Sequence, residues 1–126
     1  MITSATKRIL IVDDDVEMAH IMQETLHQRN YQTVLAHDGI QAIEQAKREK
    51  PDLILLDVRM PFFSGLWFCD VFKQRPETNH IPIVMVSAMT DDDHVRKAHD
   101  LGASGYLKKP FLPQQLLELV DQIFSS

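Results

Sequence analysis

Short apolar runs recur along the chain and alternate with longer segments of mixed polarity. Residues 9–12, 53–56 and 83–86 are rich in Ile, Leu and Val, are bounded by polar or turn residues, and do not alternate polar with apolar positions. This pattern is typical of strands buried on both faces, as in a parallel sheet. Residues 33–36 and 105–107 are weaker strand candidates. The chain is therefore predicted to contain five strands.

A segment with helical spacing follows each predicted strand. Apolar residues recur three and four positions apart in these segments, which predicts one amphipathic helix in each. The predicted helices span residues 16–29, 39–50, 66–74, 92–101 and 113–124. Five strands that alternate with five helices favour an α/β fold with a doubly wound parallel sheet and helices on both of its faces.

Length and composition narrow the class of protein. A chain of 126 residues fits a single domain (1–126, with a core of about 7–124) that needs no disulfide or structural metal. Its one cysteine, Cys69, excludes an internal disulfide and a Cys-rich zinc site. A formal charge of −5 argues against general nucleic-acid binding. Because no apolar run resembles a signal peptide or membrane span, a cytoplasmic location is predicted.

Ionisable or hydroxyl residues follow four of the five predicted strands. Asp13 and Asp14 come directly after the first strand, Asp57 after the third and Ser87 after the fourth, while Lys109 closely follows the fifth. In a doubly wound sheet, ligands bind outside the carboxyl ends of the strands. We therefore expect these side chains to meet at one edge of the sheet.

These residue types together suggest phosphoryl chemistry. Clustered carboxylates repel one another, and a hard cation such as Mg²⁺, which takes oxygen ligands, offsets that repulsion. A metal, an ammonium and a hydroxyl together can hold the three oxygens of a transferring phosphoryl group. Asp57 is the lone acid after a central strand, so it is the candidate acceptor that would form an aspartyl phosphate.

Four segments together resemble the receiver domain of two-component response regulators, a chemotaxis-regulator-like domain with a flavodoxin-like fold. They are residues 9–15 (ILIVDDD), 51–61 (PDLILLDVRMP, with Gly65 beyond), 86–88 (VSA) and 102–111 (GASGYLKKPF). They follow one another in the family's order and spacing, and the resemblance covers about residues 7–124. It implies a (βα)5 fold whose five-stranded sheet has the strand order 2-1-3-4-5.

The resemblance also implies a metal site and an acceptor. Asp57 corresponds to the phosphoacceptor. Asp13 and Asp14 correspond to the acidic pair that binds Mg²⁺, for which Mn²⁺ can substitute. Asp57 itself and the backbone carbonyl of Arg59 would complete the protein's share of the ligands.

Three further residues match switch and catalytic positions of the family. Ser87 matches the hydroxyl that meets the phosphoryl group, Lys109 the lysine of the site, and Tyr106 the aromatic residue that turns inward on phosphorylation. The implied function is a phosphorelay receiver, a signalling protein rather than an enzyme. It would take phosphoryl from a histidine kinase or a histidine phosphotransfer protein. Its target would be a protein bound through the face of the fourth helix, fifth strand and fifth helix. A second copy of the chain, in a phosphorylation-dependent homodimer, is a further implied partner.

Two other functions remain open. Asp13 and Asp15 also mimic the paired aspartates of haloacid-dehalogenase-type phosphohydrolases, although Glu17 stands where Thr or Val is expected and no cap domain fits in this length. A receiver-like interaction module that has lost phosphorylation is the third hypothesis, although such modules usually lack an acid or the lysine. A flavin site is weaker, because the first strand–helix turn is acidic.

Two features depart from the family pattern or lie outside it. Phe62, Trp67 and Val71 are apolar where the loop is commonly small and the helix face polar, so they form a candidate interface. The six histidines are scattered, and we interpret them as surface or helix-face residues.

Overall fold

Five parallel strands form the central sheet of the computed structural model, which describes residues 6–57, 59–60, 63–88 and 92–125. The strands are β1 (Arg8–Val12), β2 (Gln32–Ala36), β3 (Leu53–Asp57), β4 (Ile83–Ser87) and β5 (Gly105–Lys108). Their order in the sheet is β2-β1-β3-β4-β5. The predicted α/β fold and strand order are thus confirmed.

Five helices connect and follow these strands. They are α1 (Val16–His27), α2 (Gly39–Glu49), α3 (Gly65–Gln74), α4 (Asp92–Asp100) and α5 (Pro113–Ser125). Every predicted helix is present. Within the described ranges, no helix combines the length and the apolar character needed to cross a bilayer.

The sheet separates two apolar clusters, one on each face. Along β1, Leu10 and Val12 pack into one cluster, whereas Ile9 and Ile11 pack into the other. Side chains of α2, α3 and α4 cover the first cluster, and those of α1 and α5 cover the second. All five side chains of β3 and of β4 are buried. Burial on both faces is the physical reason that the sequences of these strands are continuous apolar runs.

Side chains of the connecting turns fix the starts of α1 and α2. Asp15 caps α1, with its Oδ1 accepting from the Met18 backbone N–H at 3.2 Å. Asp38 caps α2 by accepting from the Gln41 N–H at 2.8 Å, while Gln41 Oε1 accepts from the His37 N–H at 2.8 Å. This reciprocal pair resembles a capping box and holds the turn between β2 and α2.

Two local features were not predicted from the sequence. Arg59–Met60 and Phe63–Ser64 form a short antiparallel ladder after β3. In addition, α2 begins directly against the buried ring of Phe68, so that a Cβ at Gly39 would collide with that ring. Helices α2 and α3 therefore meet at a point where only glycine fits.

Candidate functional site

Three carboxylates meet at the carboxyl edge of the sheet. Asp57 is the last residue of β3, and Asp13 and Asp14 follow β1 directly. One oxygen of each carboxylate lies within 4.8 Å of an oxygen of the other two. Asp13 is fully buried and Asp57 is 6% exposed, whereas Asp14 is exposed. Carboxylates this close together repel one another, and nearby positive charge offsets that repulsion.

Lys109 supplies part of that positive charge. Its Nζ lies 3.1 Å from Asp13 Oδ2 and 3.7 Å from Asp57 Oδ2. Its backbone N–H donates to the carbonyl of Ser87 at 2.9 Å, which anchors the segment after β5 to the end of β4. The neighbouring Lys108 is exposed. Three carboxylates and one ammonium leave a local formal charge of −2 when all are ionised.

The acidic cluster has the donor set of a hard divalent cation. All three side chains offer oxygen, the donor that Mg²⁺ takes in proteins. Oxygens on opposite sides of one Mg²⁺ lie about 4 Å apart, and three carboxylate oxygens within 4.8 Å of one another are close enough to share one ion. Asp14 leaves one side open to solvent, which suits an ion that keeps several waters. The residues therefore fit Mg²⁺ or Mn²⁺.

Ser87 lies at the same edge of the sheet as the acids. It is the last residue of β4, it is 1% exposed, and it pairs in register with Lys108. Its neighbour Val86 pairs with Asp57. Ser87 thus lies one residue further toward the carboxyl edge on the adjacent strand.

Tyr106 lies on β5, partly buried against the cluster covered by α4. It lines a cavity of about 150 Å³ together with Val95, Ala98 and His99 of α4. The predicted inward turn of this ring on phosphorylation stays a prediction, and the cavity gives it adjacent space.

One of the six histidines interpreted as surface or helix-face residues, His37, is only partly exposed and contacts the backbone of the acidic cluster. This residue follows β2, is half-buried, and places its Nδ1 3.0 Å from the backbone oxygen of Asp13. The backbone N–H of Asp13 donates to the Ala36 carbonyl at 3.0 Å. The sequence carried no clear signal for this contact, because it joins a ring to a backbone carbonyl on a neighbouring strand. Its only sequence clue was the position of His37 directly after a predicted strand.

The other predicted residues are Arg59 and the candidate interface of Phe62, Trp67 and Val71. Arg59 begins the short ladder two residues beyond Asp57, and the role of its carbonyl as a metal ligand stays a prediction. Phe62 lies outside the described residues. Trp67 is 52% exposed with its ring edge-on to Phe68, and Val71 is half-buried on the next turn. The docking role of these residues stays a prediction.

Among the residues that the structure describes, three side chains away from this edge have shifted pKa values. Burial raises the pKa of the Cys69 thiol and lowers the pKa of Lys73, whose ammonium donates to the Ile81 carbonyl at 2.8 Å. Burial, together with donation to Asp121, raises the pKa of Tyr31 to about 12. These groups tie elements of the fold together and play no part in the acidic cluster.

Comparison with known proteins identifies similar chains. The family described as response regulator receiver domain matches residues 9–121. The alkaline phosphatase synthesis transcriptional regulatory protein PhoP of Bacillus subtilis is 36% identical over 117 residues, which cover 93% of this chain and 48% of that protein. The DNA-binding response regulator MtrA of Mycobacterium tuberculosis is 36% identical over 114 residues, covering 90% of this chain and 49% of MtrA.

Solved structures show the same fold. The chemotaxis protein CheY4 of Vibrio cholerae superposes with a TM-score of 0.90 at 29% identity, covering 94% of this chain and 99% of that one. The present chain spans about half the length of the curated relatives it matches. The similarity to those relatives therefore concerns one part of each.

Proposed function

The chain belongs to the response regulator receiver domain family, and from that membership we propose that Asp57 accepts a phosphoryl group in a Mg²⁺-dependent reaction. The observation that carries this proposal is the convergence of Asp13, Asp14, Asp57 and Lys109 at one edge of the sheet. We also propose that about residues 7–124 act as a single receiver domain.

The proposed reaction transfers phosphoryl from a phosphohistidine of a partner protein. A carboxylate oxygen of Asp57 forms a bond to phosphorus while the bond from phosphorus to the partner's imidazole nitrogen breaks. The imidazole leaves and takes up a proton, and Asp57 keeps the phosphoryl group as an aspartyl phosphate. The phosphoryl group thus moves from nitrogen to oxygen without any redox step.

Charge explains why the acceptor needs its neighbours. A cation bound by Asp13, Asp14 and Asp57 would supply two positive charges and positions for phosphoryl oxygens. The Lys109 ammonium, 3.7 Å from Asp57 Oδ2, can pair with another phosphoryl oxygen. The Ser87 hydroxyl, at the end of the adjacent strand, would donate to a third. Phosphoryl transfer depends mainly on such positioning and electrostatic stabilisation.

The proposed output is protein–protein binding. The added phosphoryl charge of about −1.5 to −2 would draw in Ser87 and Lys109 and shift Tyr106 and the face of α4, β5 and α5 between two populated conformations. A histidine kinase or histidine phosphotransfer protein is the proposed donor, and a target protein or a second phosphorylated copy the proposed receptor. PhoP and MtrA are named as regulators of transcription or DNA-binding proteins. For this chain we propose no direct nucleic-acid contact, given its net charge of −5.

A small phosphodonor with Mg²⁺ tests the proposal. The wild-type chain should gain one phosphoryl group by intact mass, and Asp57→Asn should gain none. Asp52→Asn is the matched control, because Asp52 precedes β3 at its other end, where Oδ2 accepts from the Arg8 N–H at 2.9 Å. Asp52→Asn should gain the group like the wild type. Absence of the gain in the wild type with a donor that phosphorylates another receiver would contradict the proposal.

The same experiment distinguishes the phosphohydrolase alternative. A receiver takes up one phosphoryl group per chain and loses it slowly. A haloacid-dehalogenase-type enzyme would release many equivalents of phosphate from excess donor. Phosphate release that persists in Asp57→Asn would favour the phosphohydrolase. Rapid release of many equivalents of phosphate per chain by the wild type would favour it as well.

A further inference from the structure

We propose that His37 is a positioning residue for the divalent-cation site, which it controls through the backbone of Asp13. The inference rests on the proposed function, since it assigns His37 a role toward the cation that phosphoryl transfer requires. The observation that carries it is the 3.0 Å contact between His37 Nδ1 and the backbone oxygen of Asp13.

Both backbone polar groups of Asp13 are held by the end of β2. The paired register of β1 and β2 runs to Val12 and Ala36. Beyond that point the Asp13 N–H donates to the Ala36 carbonyl at 3.0 Å, and the His37 ring meets the Asp13 carbonyl. Because a carbonyl oxygen only accepts, Nδ1 carries the hydrogen in this contact. The ring therefore extends the link between the two strands by one more hydrogen bond.

The ring itself belongs to a well-supported turn. The His37 N–H donates to Gln41 Oε1, and the Gln41 N–H donates to Asp38 Oδ1, each at 2.8 Å. The next residue, Gly39, begins α2 against the buried ring of Phe68. The backbone of the residue that carries the donor is thus held by a helix start.

This contact lies at the position that orients the acids. The Asp13 carbonyl belongs to the peptide that joins Asp13 to Asp14, and both residues contribute to the acidic cluster. On the other side, Asp13 Oδ1 accepts from the Asp15 N–H at 2.9 Å. Groups that orient metal ligands without touching the metal typically change its affinity about 10- to 100-fold. Since His37 acts through the backbone, we place its effect near the lower limit.

Three variants test the inference. His37→Leu removes the donor at similar volume, whereas His37→Asn keeps an amide N–H near the position of Nδ1. His27→Leu is the matched control. His27 Nε2 lies 3.0 Å from Thr33 Oγ1 of β2, away from the acids, so this variant also removes a histidine contact to the β2 segment. Mn²⁺ affinity is measured from the electron paramagnetic resonance of the free ion at one pH. Thermal unfolding in a chelator is recorded in parallel.

We expect His37→Leu to bind Mn²⁺ about tenfold more weakly than the wild type, with His37→Asn recovering most of the loss and His27→Leu unchanged. Unchanged affinity in His37→Leu, or no recovery in His37→Asn, would overturn the inference. The inference would also be overturned if the weaker Mn²⁺ binding of His37→Leu were matched by a fall in its folded fraction at the assay temperature. If the wild type takes up phosphoryl while His37→Leu binds Mn²⁺ normally, only this inference fails. A wild type that neither binds Mn²⁺ nor takes up phosphoryl overturns the proposed function as well.

Discussion

Lys109 contacts Asp13 although 96 positions separate them in the sequence, with Nζ 3.1 Å from Oδ2. The same ammonium lies 3.7 Å from Asp57. Without a cation, the lysine thus pairs with two of the three acids that would hold one. We therefore expect Lys109 to have two opposed effects: it would compete with the cation for Asp13, and it would stabilise the charge that phosphoryl transfer brings.

These two effects can be separated by substitution of Lys109. In Lys109→Met, Mn²⁺ should bind more tightly, because the ammonium no longer competes for Asp13. Uptake of phosphoryl from a small donor at saturating Mg²⁺ should slow about 100-fold, the usual effect of removing one donor to a developing oxyanion. Intact mass against time measures the uptake, and Mn²⁺ titration measures the affinity.

The control is Lys108→Met, which removes the same charge from an exposed neighbour. Lys108→Met should change neither the Mn²⁺ affinity nor the rate of phosphoryl uptake appreciably. Weaker Mn²⁺ binding in Lys109→Met would mean that the lysine orients the acids instead of competing for them.

A bound cation should stabilise the fold through the acidic cluster. A ligand that binds only the folded chain raises the free energy of unfolding by about 2.7 kcal/mol at a free concentration 100 times its Kd. Asp14→Asn should lose most of the Mg²⁺-dependent rise, because one of the three clustered carboxylates is gone. Asp15→Asn should keep it, since Asn also caps a helix well. Urea unfolding with and without Mg²⁺ measures the difference, and an equal rise in all three proteins would place the ion elsewhere.

Gly39→Ala should destabilise the fold by about 1–3 kcal/mol through overpacking, despite the better helix propensity of alanine. The added Cβ would collide with the buried Phe68 ring. Gly105→Ala is the matched control, because a Cβ there meets Leu119 and Val84 at 3.5 Å, an ordinary contact. Chemical denaturation measures both. If Gly39→Ala is no less stable than Gly105→Ala, α2 can shift away from α3 at little cost.

Tyr31 should make stability depend on pH in the alkaline range. Its pKa rises from 10.0 to about 12 on folding because burial and the bond to Asp121 favour the protonated phenol. A pKa raised in the folded state contributes stability that is present below pH 10 and is lost as the pH rises toward 12. The stability difference between the wild type and Tyr31→Phe should therefore be constant from pH 7 to about 9 and shrink above pH 10. A difference that stays constant to pH 11.5 would contradict the raised pKa.

The elements of the fold could be predicted closely, because burial on both faces leaves a readable pattern. Residues 53–56 were predicted as a strand, and β3 spans Leu53–Asp57. The order of the strands came from the family resemblance, since apolar runs carry no information about which strand lies beside which. The short ladder that begins at Arg59 escaped prediction, because two-residue strands are too short to show periodicity.

The candidate site also contains residues that could be predicted from the sequence and one that could not. The convergence of Asp13, Asp14, Asp57 and Lys109 could be predicted, because each lies at or just after the carboxyl end of a strand and the topology brings those ends together. The contact of His37 could not be predicted, because it depends on the orientation of the ring and on a backbone position held by Gln41 four residues later. Contacts between a side chain and a backbone carbonyl of another strand leave no spacing rule in the sequence.

The burial of β3 and β4 also bears on how this protein can diversify. Their side chains pack on both faces of the sheet, so most changes there lower stability and displace Asp57 or Ser87. Exposed apolar side chains such as Ile21, Ile40, Trp67 and Leu112 lie outside the strands, on helices or a connection. Substitutions at such surface positions usually change stability by less than about 0.5 kcal/mol. Duplicated copies could therefore acquire new partners through their helices while inheriting the same acidic cluster and the phosphoryl chemistry proposed for it.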